Sequence, residues 1–163
     1  MAEAFPRSRF HGIDAHAGSI EAARANAAAA GLSERVSFEV AKSTTFVERG
    51  FDLICFFDCL HDMGDPVGAA RHAAQALAPG GTVMLVEPYA DDRLENNINP
   101  VARLYYSSST TLCCAHSLSE PVGLALGAQA GETRLRKVFE EAGYSHFRRA
   151  VATPFNLILE ARL

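Results

Sequence analysis

Two apolar runs, Phe51–Phe57 (FDLICFF) and Thr82–Glu87 (TVMLVE), flank a stretch that begins at Pro66 and closes at Ala78-Pro79-Gly80-Gly81. This alternation constrains the fold more than any other feature of the chain. The near-continuous hydrophobicity of the first run predicts a strand buried on both faces and therefore central in its sheet. A helix over Pro66–Leu77 between two such strands specifies parallel pairing through a right-handed crossover. The pattern repeats upstream, with a short strand Phe10–Asp14 (FHGID), an alanine-rich helix over Ser19–Gly31 and a strand Val36–Val40 (VSFEV). Gly31 is a natural helix stop. The fold class is α/β, with parallel strands ending at Asp14, Val40, Phe57 and Glu87.

From Tyr89 to Gly131 the alternation breaks, and the polar run from Asp91 to Pro100 leads into an amphipathic stretch over Val101–Leu112. This segment reads as a helical lid inserted over the strand ends. Glu132–Ala142 is an amphipathic helix stopped by Gly143. Tyr144–Val151 and Phe155–Leu163, joined through Pro154, predict an antiparallel hairpin at the sheet edge.

The 163 residues are expected to form one domain with a sizeable core. A net charge of −4 and a pI near 5.8 argue against a nucleic-acid partner, which needs a basic face to displace counterions. No apolar run approaches the ~20 residues that span a bilayer, so no membrane partner is expected. Cys55, Cys59, Cys113 and Cys114 lack C-x-x-C spacing, which points to no metal ligand set and to reduced thiols in a cytoplasmic protein.

Open α/β sheets bind ligands just beyond the carboxyl ends of their strands. His61, in Leu60-His61-Asp62-Met63, follows one apolar strand, and Glu87, in Val86-Glu87-Pro88, ends the next. An imidazole has the unperturbed pKa best suited to proton removal near neutrality, and a neighbouring carboxylate fixes its tautomer. His61 and Glu87 are accordingly expected within hydrogen-bond reach. The bland alternative is that His61 caps the following helix and Glu87 merely ends a strand.

The segment Cys59-Leu60-His61-Asp62-Met63-Gly64-Asp65-Pro66 resembles the HDW-x-D segment of small-molecule O-methyltransferases, with Met63 where those have Trp. Leu77–Glu87 is similar to their strand-five signature. Together with the order of elements, this identifies the chain as resembling the class I S-adenosylmethionine-dependent methyltransferases over nearly its whole length. The resemblance implies a Rossmann-like three-layer sandwich missing its first strand, a C-terminal antiparallel hairpin, and a single partial methyltransferase domain over 1–163 with its lid at about 89–131. It assigns His61 as general base and Glu87 as its orienting carboxylate. It gives Asp14 the ribose hydroxyls of S-adenosylmethionine, with His16 on the same edge. Ser43 stands where relatives place an adenine-binding acid, and Phe57 and Asp58 resemble positions that pack against the adenosine and methionine portions. The acceptor implied is a small molecule with a hydroxyl, under a lid that includes Tyr105, Tyr106, Ser107–Thr111 and Cys113.

The family's G-x-G-x-G loop and the strand leading to it do not occur in the sequence. Gly127–Gly131 follows a helical insertion rather than a strand and cannot substitute. The chain reads as a methyltransferase cut inside its first crossover, through experimental shortening, a misplaced start or a truncated gene. Weak or absent S-adenosylmethionine binding is therefore expected. The strands ending at Asp14 and Phe57 should either pair directly, borrow a strand from a second copy to give a homodimer, or leave the chain partly disordered. The alternative function is a non-catalytic binding or regulatory protein that retains the fold without cofactor turnover. Another Rossmann-type enzyme such as a dehydrogenase would leave the His61 and Glu87 pair without a role.

Overall fold

A computed structural model describes residues 1–163, which divide into two compact units, 1–48 and 49–163. In the first unit, β1 (Phe10–Asp14) and β2 (Val36–Val40) form a two-stranded parallel sheet joined through α1 (Ala17–Ala29). Strong helix formers fill α1, which runs AGSIEAARANAAA. His16 caps its start, with Nδ1 accepting from the Ser19 amide at 3.2 Å. Gly31, at φ +67°, ends it, while the Gly31 and Leu32 amides satisfy the last carbonyls.

The second unit is a four-stranded sheet in the order β3-β4-β6-β5, built from β3 (Phe51–Phe57), β4 (Leu77–Pro88), β5 (His146–Ala152) and β6 (Asn156–Arg162). β3 and β4 are parallel, connected through α2 (Pro66–Ala76), whereas β6 runs antiparallel to both β4 and β5. Asp65 caps α2 by accepting from the Gly68 amide at 2.7 Å, and Pro66 occupies the first turn, where its missing N–H costs nothing. The expected C-terminal hairpin is present, with β5 at the edge.

Alternation along β4 decides where its side chains go. Val83, Leu85 and Glu87 are buried on one face, together with Phe56 of β3 and Leu157, Leu159 and Ala161 of β6. Against this face pack Ala69, Ala70 and Ala73 of α2, and Leu135, Val138 and Phe139 of α5 (Gly131–Glu141). Phe139 lies edge-on to Tyr144 with ring centroids 5.0 Å apart, and the Tyr144 hydroxyl donates to the Ala70 carbonyl at 3.1 Å. That bond clamps the end of α5 to α2.

Three sequence expectations need correction. First, β3 is an edge strand, not a central one: it pairs with β4 alone, and Leu53 and Phe57 stay 44% and 53% exposed. An apolar run of this kind does not record how many neighbours the strand has. Second, of the three outcomes open for the strands ending at Asp14 and Phe57, direct pairing does not occur, and the chain holds two sheets. Third, β4 begins at Leu77 rather than Thr82. Phe51 pairs with Leu77 and Leu53 with Thr82, so Ala78–Gly81 bulges out, turned by Gly80 at φ +78°.

The insertion is helical, as expected. It contains α3 (Pro100–Ser108), a π-helical turn (Ser109–Cys113) and α4 (Cys114–Ser119). Asn99 caps α3 by accepting from the Ala102 amide at 2.9 Å. The hydroxyls of Ser107, Thr110 and Thr111 donate to carbonyls four residues back, at 2.8 to 3.1 Å. Such back-bonding competes with the helical ladder and favours the widened turn that follows.

Candidate active site

Because Glu87 falls on the inward face of β4, its carboxylate ends at the top of the apolar core, where it must find partners. It is 1% exposed. One oxygen accepts from the Leu60 amide at 3.0 Å, and the other is hydrogen-bonded to His61 Nδ1. His61 sits in a single 3-10 turn, Leu60–Asp62, between β3 and α2, and is itself 4% exposed. The strand ends thus bring together the two residues that the sequence singled out. The helix-cap alternative for His61 does not hold, since Asp65 caps α2.

The other imidazole nitrogen, Nε2, lies 3.2 Å from Asp62 Oδ1. Burial disfavours the imidazolium, yet the Asp62 and Glu87 carboxylates reverse that effect and raise the His61 pKa to about 11. Burial also pushes the Glu87 carboxyl up, against the pull of the imidazole and the Leu60 amide. Both effects act in one direction: the pair holds its proton tightly. Nearby, burial, followed by the charge of Glu87, raises the Cys59 thiol to about 12 and keeps it inert.

A residue that the sequence placed only in the lid joins this group. The π-helical turn delivers Cys113 to the dyad, so that ligand-capable atoms of His61, Asp62 and Cys113 all lie within 4.8 Å of one another. Pattern reading could not find this, because an i+5 turn breaks helical periodicity. The lid is also stitched to the loop carrying His61. Ser117 Oγ donates to Met63 O at 2.8 Å and accepts from the Ala125 amide at 3.0 Å. The Gly127 amide donates to His61 O at 3.1 Å, and the Leu124 amide to Gly64 O at 3.0 Å.

A family profile described as a methyltransferase domain matches residues 1–143. The chain belongs to that family. Solved structures agree on the fold. The mitomycin 7-O-methyltransferase MmcR superposes with a TM-score of 0.73 at 20% identity, over 99% of this chain and 44% of that one. Human N-acetylserotonin methyltransferase, solved with S-adenosylmethionine, gives 0.72 at 16% identity, over 99% and 42%. The S-adenosylmethionine-dependent methyltransferase SibL gives 0.69 at 24% identity, over 99% and 45%. The methyltransferase-domain chain described here therefore spans less than half the length of each. None of its helices is long and apolar enough to cross a membrane.

The remaining sequence-predicted site residues fall in both units. In the first, Asp14 ends β1 exposed, with Oδ1 accepting from the His16 amide at 2.7 Å, and Ser43 is half-buried in the turn after β2. In the second, Phe57 ends β3 with its ring largely exposed, so it is not core. Asp58 follows at φ +47°, its Oδ1 accepting from Asn156 Nδ2 at 3.2 Å. A shallow depression of about 430 Å³ lines Leu77–Gly81, Arg162 and Leu163, at the opposite end of β4 from Glu87, and bears none of these groups.

Proposed function

We propose that this methyltransferase domain serves S-adenosylmethionine-dependent methylation of a hydroxyl on a small molecule, with His61 as general base and Glu87 as the carboxylate that orients it. The observation that carries this reading is the buried bond between Glu87 and His61 Nδ1, with the second Glu87 oxygen pinned on the Leu60 amide. A carboxylate on Nδ1 keeps the proton there in the neutral ring and leaves the Nε2 lone pair for an incoming hydroxyl. The names of structurally similar proteins, among them an O-methyltransferase, support the same acceptor class.

In the conformation described, Asp62 stands at Nε2 and holds the imidazole charged. The acceptor hydroxyl takes the place of that carboxylate, whose side chain is 41% exposed and can turn to solvent. Once Asp62 withdraws and the imidazolium proton is released, Nε2 accepts the hydroxyl proton, and Glu87 stabilises the charge that forms. When bound, S-adenosylmethionine would supply an electrophilic methyl group for the acceptor oxygen. The residues present fit part of this cofactor. Asp14 offers an exposed carboxylate, anchored at one oxygen, to a pair of ribose hydroxyls. Ser43, Phe57 and Asp58 are assigned to the cofactor on the family resemblance.

A second reading is favoured by one observation, the Asp62 carboxylate standing at His61 Nε2, where an acceptor hydroxyl would deliver its proton. It makes the chain a binding or regulatory protein that keeps the acceptor site without cofactor turnover. Incubation with methyl-labelled S-adenosylmethionine and a panel of hydroxylated aromatic acceptors separates the two. Label on the acceptor that disappears in His61→Ala supports the general base. Transfer that survives His61→Ala overturns it. Acceptor binding with no transfer favours the second reading.

A further inference from the structure

We propose that His61, Asp62 and Cys113 form a binding site for a thiophilic divalent cation of the Zn²⁺ type, with Glu87 holding the ligand histidine from behind. The sequence pointed to no metal set, and the site exists only because the lid's π-helical turn brings Cys113 to the His61 loop.

Three independent features of the cluster match what a metal requires. First, the donor atoms are already collected, all within 4.8 Å of one another. Donors around one tetrahedral Zn²⁺, with bonds of roughly 2.0–2.3 Å, stand roughly 3.3–3.8 Å apart. Small side-chain rotations of Asp62 and Cys113 close that difference. Second, Asp62 Oδ1 is inaccessible to solvent and faces His61 Nε2 at 3.2 Å in an ion-pair contact, without a well-aligned hydrogen bond. A cation between these two ligand atoms would satisfy a buried carboxylate oxygen better than that contact does. Third, His61 Nδ1 is bonded to the buried Glu87 carboxylate, which directs Nε2 toward Asp62 and Cys113. This carboxylate–histidine–metal arrangement fixes the tautomer and raises ligand basicity.

The donor set selects the metal. One sulfur, one imidazole and one carboxylate suit Zn²⁺ or Co²⁺ and not the hard, oxygen-seeking Mg²⁺ or Ca²⁺. Three protein ligands leave a fourth position for water or a small molecule. Because the cation takes the Nε2 lone pair, metal binding and proton acceptance by His61 exclude each other. The site uses the same imidazole as the proposed base but does not rest on methyl transfer.

Co²⁺, titrated into the purified, reduced chain and followed by absorption, tests the proposal. The expected result is one equivalent bound, with a near-ultraviolet thiolate-to-cobalt band and a visible envelope of tetrahedral intensity, both displaced by Zn²⁺. Cys113→Ser should abolish the thiolate band, and Cys114→Ser, at the adjacent thiol, should keep it. Glu87→Gln should weaken binding on the order of 10–100-fold. No stoichiometric binding, binding without a thiolate band, or a band that survives Cys113→Ser would each overturn the proposal. The titration reads no methyl transfer, so its failure leaves the general-base reading standing.

Discussion

Glu87 and His61, 26 residues apart in sequence, are joined by a buried hydrogen bond across the carboxyl ends of β4 and β3. The bond depends on strand register. Shifting Glu87 by one position along β4 would turn its carboxylate to the opposite face of the sheet, away from the 3-10 turn that carries His61. Register in β4 is held from both sides, by Phe57 opposite Val86 in β3 and by Leu157 opposite Glu87 in β6.

Replacing Glu87 with Gln tests what this bond does. The amide can still accept from the Leu60 N–H through its oxygen, which turns the NH₂ toward Nδ1. Nδ1 then becomes an acceptor and the ring proton moves to Nε2. The methyl-transfer rate should fall roughly 10²–10⁴-fold. The thermal midpoint, read alongside the rate, should fall far less. An unchanged rate would remove Glu87 from the catalytic role.

The raised pKa of His61 predicts how stability depends on pH. The folded state holds the imidazolium proton to about pH 11, whereas an unfolded histidine releases it near its ordinary value of 6.5. The folded state therefore binds more protons above that value. This contribution is fully present below pH 6.5 and is lost as pH rises toward 11. Burial of Glu87 acts with the same sign at lower pH. Urea midpoints measured from about pH 6.5 to 8.5, below the range where buried thiols and Tyr144 contribute, should decline steadily. A flat or rising profile would contradict the charged imidazole.

Two substitutions at one contact separate packing from hydrogen bonding. Phe139→Ala empties a fully buried ring position between α2, α5 and the sheet and should cost about 3–5 kcal/mol. Tyr144→Phe retains the edge contact with Phe139 and loses only the donation to Ala70 O, for about 0.5–1.5 kcal/mol. Chemical denaturation of both variants should preserve this order.

Ser117, fully buried, uses one hydroxyl to satisfy both Met63 O and the Ala125 amide. Ser117→Ala leaves two groups without that partner and should destabilise the chain by about 2–3 kcal/mol. Hydrogen exchange at the Leu124 and Gly127 amides, which bond to the His61 loop, should accelerate more than exchange in β4. Uniform acceleration would mean that the lid has no local tie to that loop.

The sequence by itself determined the α/β alternation, the strands ending at Asp14, Val40 and Phe57, the C-terminal hairpin, and the placement of His61 and Glu87 at the carboxyl ends of neighbouring strands. These follow from hydrophobic period, helix stops and the location of polar residues at strand ends, all encoded locally. What only the tertiary structure decided depends on contacts between distant segments. The run FDLICFF is equally apolar whether it has one neighbour or two, so the edge position of β3 could not be read from it. The bulge at Ala78–Gly81 arises because Phe51 pairs with Leu77 while Leu53 pairs with Thr82. The approach of Cys113 to His61 and Asp62 required a π-helical turn, set by hydroxyls bonding back onto the helix and by Ser109 buried against the Ala128 amide. Such a turn changes which face of a helix a residue occupies, and no periodic pattern in the sequence records it.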